Sequence, residues 1–152
     1  MEIDYDILTG DDARSQPLAP LCARVFPSFE PPYLDRLTHV DEPLLCRALV
    51  GDELIGFKLG YRRGPTLFYS WLGGVDPDFR RRGIADALSL LQHDTLATRG
   101  YRFVETRTRA ANAAMLIVNL RAGFMITGYE TDAKGFAVVT QRKPLGDPDA
   151  PA

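Results

Sequence analysis

The sequence has few cysteines and histidines and no excess of charge of one sign. Among 152 residues there are two cysteines and two histidines, and 18 basic against 20 acidic side chains leave a formal net charge of -2. Cys22 and Cys46 show neither the C-x-x-C spacing nor the companion histidines of a zinc site, so we expect two buried thiols and no metal. The charge balance argues against a general nucleic-acid binder, and any anion site must be local.

Long hydrophobic runs are also absent. No apolar stretch approaches membrane-spanning length, and the first residues, M-E-I-D-Y-D-I-L, have neither a basic n-region nor an apolar h-region. We therefore expect a cytoplasmic protein with no membrane partner, in a reducing compartment where thiols stay free.

The composition that remains is the average of folded soluble proteins. Hydrophobic residues make up 45%, charged residues 25% and aromatic residues 10% of the chain, which excludes disordered, collagen-like and coiled-coil classes. The length fits one domain with a sizeable core. We expect that domain at residues 1–143 and a disordered tail at residues 144–152, which contain Pro144, Pro148 and Pro151.

Hydrophobic patterns predict seven strands and four helices. Strand patterns occur at 2–8, 44–50, 54–61, 66–75, 101–108, 124–130 and 136–142. Helical patterns occur at 84–99 and 111–122, and two short helices fit within 11–39, where five prolines exclude one long helix. This order combines hairpins with one β-α-β crossover. It predicts an α/β fold, α+β by stricter labels, with a mixed, mainly antiparallel central sheet flanked by helices.

The stretch V-D-P-D-F-R-R-R-G-I-A-D-A-L at 75–88 runs from a strand through an arginine-rich turn into an amphipathic helix. The first N–H groups of a helix lack intrahelical partners and carry the positive end of its dipole, so several can point at one phosphate. Gly83 permits close approach, Ala85 keeps the next turn open, and three arginines add charge. The pattern predicts a polyanionic ligand, with a solvated cationic turn as the alternative.

Two spaced motifs resemble those of the GNAT superfamily of N-acetyltransferases. Its acetyl-CoA loop reads Arg/Gln-x-x-Gly-x-Gly/Ala after a strand and a V-x-P step, and this sequence matches at Val75, Pro77, Arg80, Gly83 and Ala85. A second motif, Asn-x-x-Ala-x-x-Leu-Tyr-x-x-x-Gly-Phe, is matched about one strand downstream at Asn112, Gly123 and Phe124. The resemblance includes the element order and extends to about Lys143.

The resemblance implies a GNAT-like acyl-CoA N-acyltransferase fold and a transferase that moves an acetyl group from acetyl-CoA to a primary amine of a small molecule or a peptide. The CoA pyrophosphate would lie on the backbone amides of residues 81–85, and the pantetheine arm would pair with a splayed strand at residues 73–75. The residues implied in cofactor binding are Gly73, Gly74, Val75, Arg80, Arg81, Arg82, Gly83, Ile84, Ala85, Asn112 and Asn119.

The sequence departs from the second motif at Asn119, where the superfamily has a tyrosine proposed as the acid that protonates the CoA thiolate. An amide cannot be that acid, but it can donate a hydrogen bond to the sulfur, or it can cap neighbouring backbone instead. We expect Met115, Leu116 and Val118 to pack this helix and leave little room for a tyrosine. The departure keeps a second function open, a CoA-binding regulatory module without transferase activity.

The acceptor side offers two carboxylates. An amine arrives protonated, so aminolysis of the thioester needs a base or a proton path through water. Glu105, in the strand F-V-E-T-R-T, either faces the cleft or forms a surface ion pair with Arg107 or Arg102. Glu30 lies between the early helices, where the superfamily sets acceptor specificity. Glu105 and Glu30, with Asn119, are the candidate catalytic residues.

Aromatic side chains are candidate walls of the acceptor pocket. These are Tyr33, Tyr69 and Trp71. Because successive residues of a strand point to opposite faces, either Tyr69 with Trp71 or Ser70 with Leu72 points inward, and both arrangements remain open.

Two further expectations concern the surface. The terminal strand pair at 124–130 and 136–142 offers an apolar edge that related proteins often bury against a second copy, so we expect a homodimer. His39 and His93 are expected to be solvated, His93 on the polar side of its helix.

Overall fold

The computed structural model of the protein describes residues 2–146 and contains one seven-stranded sheet with helices on both faces. The strands are β1 (Asp4–Thr9), β2 (Asp41–Val50), β3 (Glu53–Arg62), β4 (Leu67–Val75), β5 (Phe103–Arg109), β6 (Met125–Thr131) and β7 (Ala137–Pro144). The helices are α1 (Gly10–Ser15), α2 (Ala19–Val25), α3 (Ile84–Thr98) and α4 (Ala113–Arg121), with 3₁₀ helices at Pro31–Thr38 and Pro77–Phe79.

The strand order across the sheet is β1-β2-β3-β4-β5-β7-β6. Strands β4 and β5 are parallel, and every other neighbouring pair is antiparallel. A parallel pair needs a crossover, and α3 supplies it between β4 and β5. The prediction of a mixed, mainly antiparallel sheet flanked by helices is confirmed.

Three of the five prolines in the segment 11–39 begin helices, and the other two, Pro17 and Pro27, lie between helices. Pro20 lies in the first turn of α2, and Pro31 and Pro32 begin the 3₁₀ helix Pro31–Thr38. Proline is tolerated there because the first N–H groups of a helix have no intrahelical acceptor. The two predicted short helices are present, and the 3₁₀ helix is a third element that the sequence patterns did not indicate.

The core has one layer on each face of the sheet. Helix α3 contributes Ile84, Leu88 and Leu96, at one-turn and two-turn spacing, to a cluster with β2, β3 and β4. Helices α1 and α2 contribute to the opposite cluster, which includes Cys22 and Phe57. Burial of the first residue of α3 holds the beginning of that helix beside the end of β4.

Helix α4 is poorly buried, which contradicts the expectation of a tightly packed helix. None of its residues is buried, and Met115 and Val118 are 45% and 55% exposed. Helix α4 contacts β6, which is the edge strand of the sheet. Leu116 is half-buried. The helix therefore presents apolar side chains outward rather than into a core.

The expectation that His93 is solvated is wrong. Gln92 lies on the buried stripe of α3 between Leu88 and Leu96, and the adjacent His93 is 8% exposed. Its Nδ1 lies 3.3 Å from Lys143 Nζ of β7. Burial, Lys143 and Lys58 lower the pKa of His93 to about 3, so the ring is neutral near pH 7.

The C-terminal boundary is partly described. Strand β7 includes Pro144, and the N–H of Leu145 donates to the carbonyl of Arg102 at 2.8 Å. Residues 147–152 of the predicted tail lie outside the described residues. Among residues 2–146, no helix has the length and apolar character to span a membrane.

Candidate functional site

Strands β4 and β5 pair along a short segment and then separate. Their paired residues are Leu67 with Phe103, Phe68 with Val104, and Tyr69 with Glu105, while β4 continues to Val75 and β5 to Arg109. One further contact follows, in which Thr106 Oγ1 donates to the Ser70 carbonyl at 3.2 Å. Beyond it, β4 is paired with β3 on one side, so alternate backbone groups on its other side face an opening. Such an edge can accept an extended ligand as an added strand.

A β-bulge lies where the opening begins. Leu59 of β3 pairs with Leu72, and the next residue, Gly60, pairs with Ser70, so Trp71 is the extra residue of β4. A bulge bends its strand and increases its twist. The bulge therefore lies at the position where β4 separates from β5.

The loop between β4 and α3 concentrates backbone N–H groups at the same end of the sheet. The N–H groups of Ile84, Ala85 and Asp86 precede the first intrahelical donor, Ala87, which bonds to the Gly83 carbonyl at 3.0 Å. Gly83 is the N-cap residue, with φ +74° and no side-chain cap. Glycine suits this position because other residues rarely adopt a left-handed conformation. The beginning of α3 is thus open to an anion.

A second left-handed residue in this loop was not predicted from the sequence. Arg81 has φ +64°, which is uncommon for a residue with a Cβ atom. Gly83, which is also left-handed, is followed by the right-handed helix α3, and such an alternation turns successive N–H groups toward one point and can form an anion-binding concavity. No sequence signal distinguishes Arg81 from its two arginine neighbours.

The arginine side chains of the loop are exposed, and Arg82 lies over the Phe79 ring, with its Cζ 5.4 Å from the centroid. Arg80, Arg81 and Arg82 are all exposed. Within residues 2–146 none of the three forms a salt bridge. Their charges therefore remain available for phosphate groups that the backbone does not reach.

A buried aspartate anchors the start of the loop. Asp76 is 1% exposed, accepts the N–H of Asp78 at 2.9 Å and pairs with Arg24 of α2 at 2.7 Å. Sequence reasoning missed Asp76, although an Asp-Pro step is a known signal for the start of a turn. This aspartate connects α2 to the beginning of the loop.

The two glycines near the end of β4 have different surroundings. A Cβ on Gly74 would lie 2.5 Å from Val25 Cγ1, so this glycine makes room for α2. Gly73 is exposed, and a Cβ there would lie 3.3 Å from the Phe57 carbonyl oxygen. Val75 pairs with Gly56 and ends the strand at the loop. The close packing of α2 therefore accounts for Gly74 without reference to a ligand.

The two asparagines of the second motif are both engaged in structural contacts. Asn112 is the N-cap of α4, and its Oδ1 accepts the N–H of Met115 at 3.3 Å. Asn119 Nδ2 donates to Gln141 Oε1 at 2.9 Å, and Gln141 Nε2 donates to the Leu116 carbonyl at 3.2 Å. Gln141 is completely buried. The Asn119 amide therefore connects α4 to β7, while its second N–H remains for another acceptor.

Glu105 lies at the base of the opening between two arginines. Its Oε2 accepts from Arg142 Nη2 at 2.8 Å, its Oε1 lies 3.4 Å from Arg63 Nη1, and the residue is 8% exposed. Arg107, one of the predicted partners, pairs with Glu130 instead. The predicted ion pair of Glu105 thus exists with other arginines, because the turn after β3 and strand β7 contribute partners that are distant in sequence.

The aromatic residues gather on the face of the sheet that carries Glu105. The Tyr69 ring lies under Arg63, whose Cζ is 3.7 Å from the ring centroid. Trp71 Nε1 donates to the Tyr33 hydroxyl at 3.2 Å. Tyr69 and Trp71 therefore lie on this face, and because the bulge at Trp71 interrupts the alternation of the strand, Leu72 packs against the same core cluster as Trp71. Glu30 is exposed immediately before the 3₁₀ helix that carries Tyr33.

The chain matches a family of acetyltransferase domains and also matches part of a longer curated protein. Residues 32–113, more than half of the chain, match the family described as an acetyltransferase (GNAT) domain. A histidinol-phosphate aminotransferase of Methylibium petroleiphilum is 32% identical over 103 residues, which are 66% of this chain and 26% of that protein. The chain thus spans about a quarter of the curated relative it matches.

Solved structures share the fold at low sequence identity. The ribosomal-protein-S18-alanine N-acetyltransferase of Escherichia coli is 16% identical, with a TM-score of 0.78 over 99% of this chain and 100% of that chain. A GNAT family acetyltransferase of Elizabethkingia anophelis with acetyl-CoA bound is also 16% identical, with a TM-score of 0.75 over 93% of this chain and 98% of that chain.

Proposed function

Because this chain belongs to the GNAT acetyltransferase domain family, we propose that it transfers an acetyl group from acetyl-CoA to the primary amine of a small molecule or a peptide. The observation that carries this proposal is the opening between β4 and β5 next to the uncapped beginning of α3. Acetyl-CoA has an extended pantetheine arm, which fits the opening, next to a pyrophosphate, which fits the beginning of α3. The E. anophelis structure of the same fold holds acetyl-CoA.

We propose that the CoA pyrophosphate binds the backbone N–H groups of residues 81–85, with Arg80, Arg81 and Arg82 adding charge. The pantetheine arm would follow the free side of β4 from Gly73 to Val75. In this arrangement the thioester lies toward the base of the opening, near the β-bulge. A backbone N–H there would stabilise the oxyanion of the tetrahedral intermediate.

In the transfer, the amine nitrogen of the acceptor attacks the thioester carbonyl, a C–N bond forms, and the C–S bond breaks to release the CoA thiolate. The amine proton leaves to solvent, and the thiolate takes a proton from solvent. Because the thiol has a pKa of about 8.5, its thiolate is only a modest base, and the departure of CoA does not require a strong acid. We propose that Glu30 attracts the ammonium form of the acceptor and that the second N–H of Asn119 donates to the sulfur.

The test is the release of CoA thiol from acetyl-CoA with a panel of amines. The panel contains amino acids, peptides with free N-termini, polyamines and aminoglycosides, and mass spectrometry identifies the acetylated product. We expect acceptor-dependent release that saturates with one class. CoA binding without release for any acceptor would favour the alternative, a CoA-binding regulatory module, for which the missing tyrosine is the motivating feature.

Glu105→Gln distinguishes a positioning role from a role as the base. Both carboxylate oxygens already face guanidinium groups, so we expect kcat to stay within about threefold and its pH profile to be unchanged. A base at this position would instead lose about 100-fold in kcat at neutral pH and recover activity as the pH rises. Glu53→Gln, an exposed carboxylate at the start of β3, is the control.

Asn119→Ala is expected to reduce both stability and turnover. Removal of its amide leaves the buried Gln141 without a donor, at a cost of about 1–3 kcal/mol in the free energy of unfolding. Gln141→Met breaks the same hydrogen bond but keeps the amide at 119. We expect both variants to lose stability, only Asn119→Ala to lose kcat, and both to keep their CoA affinity. If Asn119→Ala and Gln141→Met both fold and have equal kcat, the role of Asn119 is purely structural.

We propose a homodimer that buries the edge strand β6. Met125, Ile126 and Tyr129 of this edge strand are 58%, 57% and 70% exposed, and an open apolar edge favours association. Light scattering is expected to give a dimer mass at micromolar concentration, and Ile126→Lys is expected to give a monomer. Leu90→Lys, at an equally exposed position on α3, should leave the mass unchanged. A monomer mass for the unmodified protein would contradict the proposal.

A further inference from the structure

Four arginines surround the aromatic side of the opening. Arg63 and Arg142 flank Glu105, and Arg107 belongs to the same strand as that glutamate. Arg36 lies over Trp71, with its Cζ 4.7 Å from the ring centroid. We call these four side chains the arginine cluster.

The aromatic rings join the arginine cluster into one continuous surface. The ring centroid of Tyr61 lies 5.4 Å from that of Tyr69 and 6.3 Å from that of Trp71. The ring centroids of Tyr33 and Trp71 lie 5.3 Å apart. The stacked guanidinium groups lie on Tyr69 and Trp71. Arg36 and Arg63 are therefore parts of one aromatic wall, and the carboxylate of Glu105 connects Arg63 to Arg142.

The arginine cluster has more positive than negative charge. Arg63 and Arg142 share the single carboxylate of Glu105, and Arg107 pairs with Glu130. Arg36 forms no salt bridge with any residue between 2 and 146. Two carboxylates thus face four guanidinium groups. This local excess contrasts with the formal net charge of -2 of the whole chain.

The geometry of the cluster suits a planar or tetrahedral oxyanion. A guanidinium group stacked on a ring keeps its in-plane N–H donors for hydrogen bonds at its edge. The side chains of Arg63 and Arg142 are 36% and 39% exposed, so a ligand can reach them, while Glu105 and Tyr69 below them are buried. Partial exclusion of water strengthens the attraction between an anion and these groups.

We propose that the acceptor of this site carries an anionic group, a carboxylate or a phosphate, near its amine, and that Arg36, Arg63 and Arg142 bind it. This inference rests on the proposed acetyl transfer, whose acceptor class it narrows. Binding of the anion on the aromatic wall leaves the amine free to face the opening between β4 and β5. Polycationic amines, such as polyamines and aminoglycosides, are poor acceptors because the cluster repels them.

Matched pairs of amines test the proposal at constant ionic strength. The pairs are L-phenylalanine with L-phenylalaninamide, and phosphoethanolamine with ethanolamine, with spermidine as the cationic compound. Acetylation gives kcat/KM for each. Trp71 is the single tryptophan of the chain, so its fluorescence reports binding at the wall without any acetyl transfer.

We expect the anionic member of at least one pair to be favoured by about tenfold or more in kcat/KM and to change Trp71 fluorescence. The phenylalanine arm identifies a carboxylate, and the phosphoethanolamine arm a phosphate. Arg36→Gln is expected to reduce the preference about tenfold without changing acetyl-CoA affinity. Arg121→Gln, at the exposed end of α4, should leave the preference unchanged. Because Arg36 is exposed and unpaired within the described residues, its replacement does not threaten folding, whereas Arg63→Gln also loosens Glu105.

The two readouts separate failure of the inference from failure of the proposed function. Acetylation of spermidine or of the neutral amines in preference to the anionic ones overturns the inference and leaves acetyl transfer intact. A fluorescence response to the anionic compounds, lost in Arg36→Gln, without acetylation of any amine supports the anion site and contradicts acetyl transfer. If no anionic compound gives either response, the inference is overturned.

Discussion

Gly83→Glu will abolish the binding of CoA and acetyl-CoA. The new carboxylate would lie at the beginning of α3, against the N–H groups and the positive end of the helix dipole that we assign to the pyrophosphate. Apart from its neighbours along the chain, no atom lies within 4 Å of the position of a Cβ on Gly83, so the side chain has space, while the positive φ of +74° strains any residue other than glycine. Calorimetry should show an affinity loss of at least about 100-fold, equivalent to about 2.8 kcal/mol.

Two controls separate the charge from the backbone strain. Gly100 also has a positive φ, +91°, follows the C-terminal end of α3, and has no atom within 4 Å of the position that a Cβ would take, so Gly100→Glu imposes similar strain and charge away from the loop. It should keep its CoA affinity. Gly83→Asn, which tolerates the left-handed conformation, should keep most of it. Unchanged affinity in Gly83→Glu would remove the physical basis of the assigned CoA site.

Gly74→Ala will destabilise the protein because α2 packs directly against this glycine. The added Cβ would lie 2.5 Å from Val25 Cγ1, and overpacking of this kind typically costs about 1–3 kcal/mol. Chemical denaturation should show a lower midpoint with an unchanged slope. In Gly73→Ala the added Cβ would lie 3.3 Å from the nearest atom, a backbone oxygen, so this variant should lose less free energy of unfolding.

The double variant Gly74→Ala, Val25→Ala distinguishes a packing role of Gly74 from a role in binding the pantetheine arm. Shortening Val25 makes room for the new methyl group, so the double variant should be more stable than the sum of the two single changes implies, by about 1–2 kcal/mol. We expect its CoA affinity to stay within about threefold of the unmodified protein. Additive destabilisation would contradict the packing explanation, and loss of CoA affinity in the stable double variant would assign Gly74 to the pantetheine arm.

The loop between β4 and α3 could be predicted because its determinants are local. The strand before it, the three arginines, Gly83 and the amphipathic helix all lie within residues 75–88. A helix beginning exposes its N–H groups whatever the rest of the chain does. The left-handed conformation of Arg81 could not be predicted, because nothing in three consecutive arginines indicates which of them adopts it.

The surroundings of Glu105 and His93 could not be predicted because they depend on residues far apart in the chain. Arg63 and Arg142 reach Glu105 from 42 and 37 residues away. His93 is buried because β7 and Lys143 cover that side of α3, although Asp94 beside it in the sequence is exposed. The polar residues beside His93 in the sequence therefore led to the wrong prediction that its ring is exposed to solvent.

By itself the sequence determined the seven strands, the four α-helices, their order and the loop that exposes N–H groups at the beginning of α3, because periodicity, helix beginnings and glycine conformation act within a few residues. The tertiary structure decided three further features: the separation of β4 from β5, the packing of Gly74 against Val25, and the arginine cluster with its aromatic wall. Each of these needs strands or helices from distant parts of the chain to meet. Strand pairing and side-chain packing between such segments establish these contacts, and no local pattern encodes them.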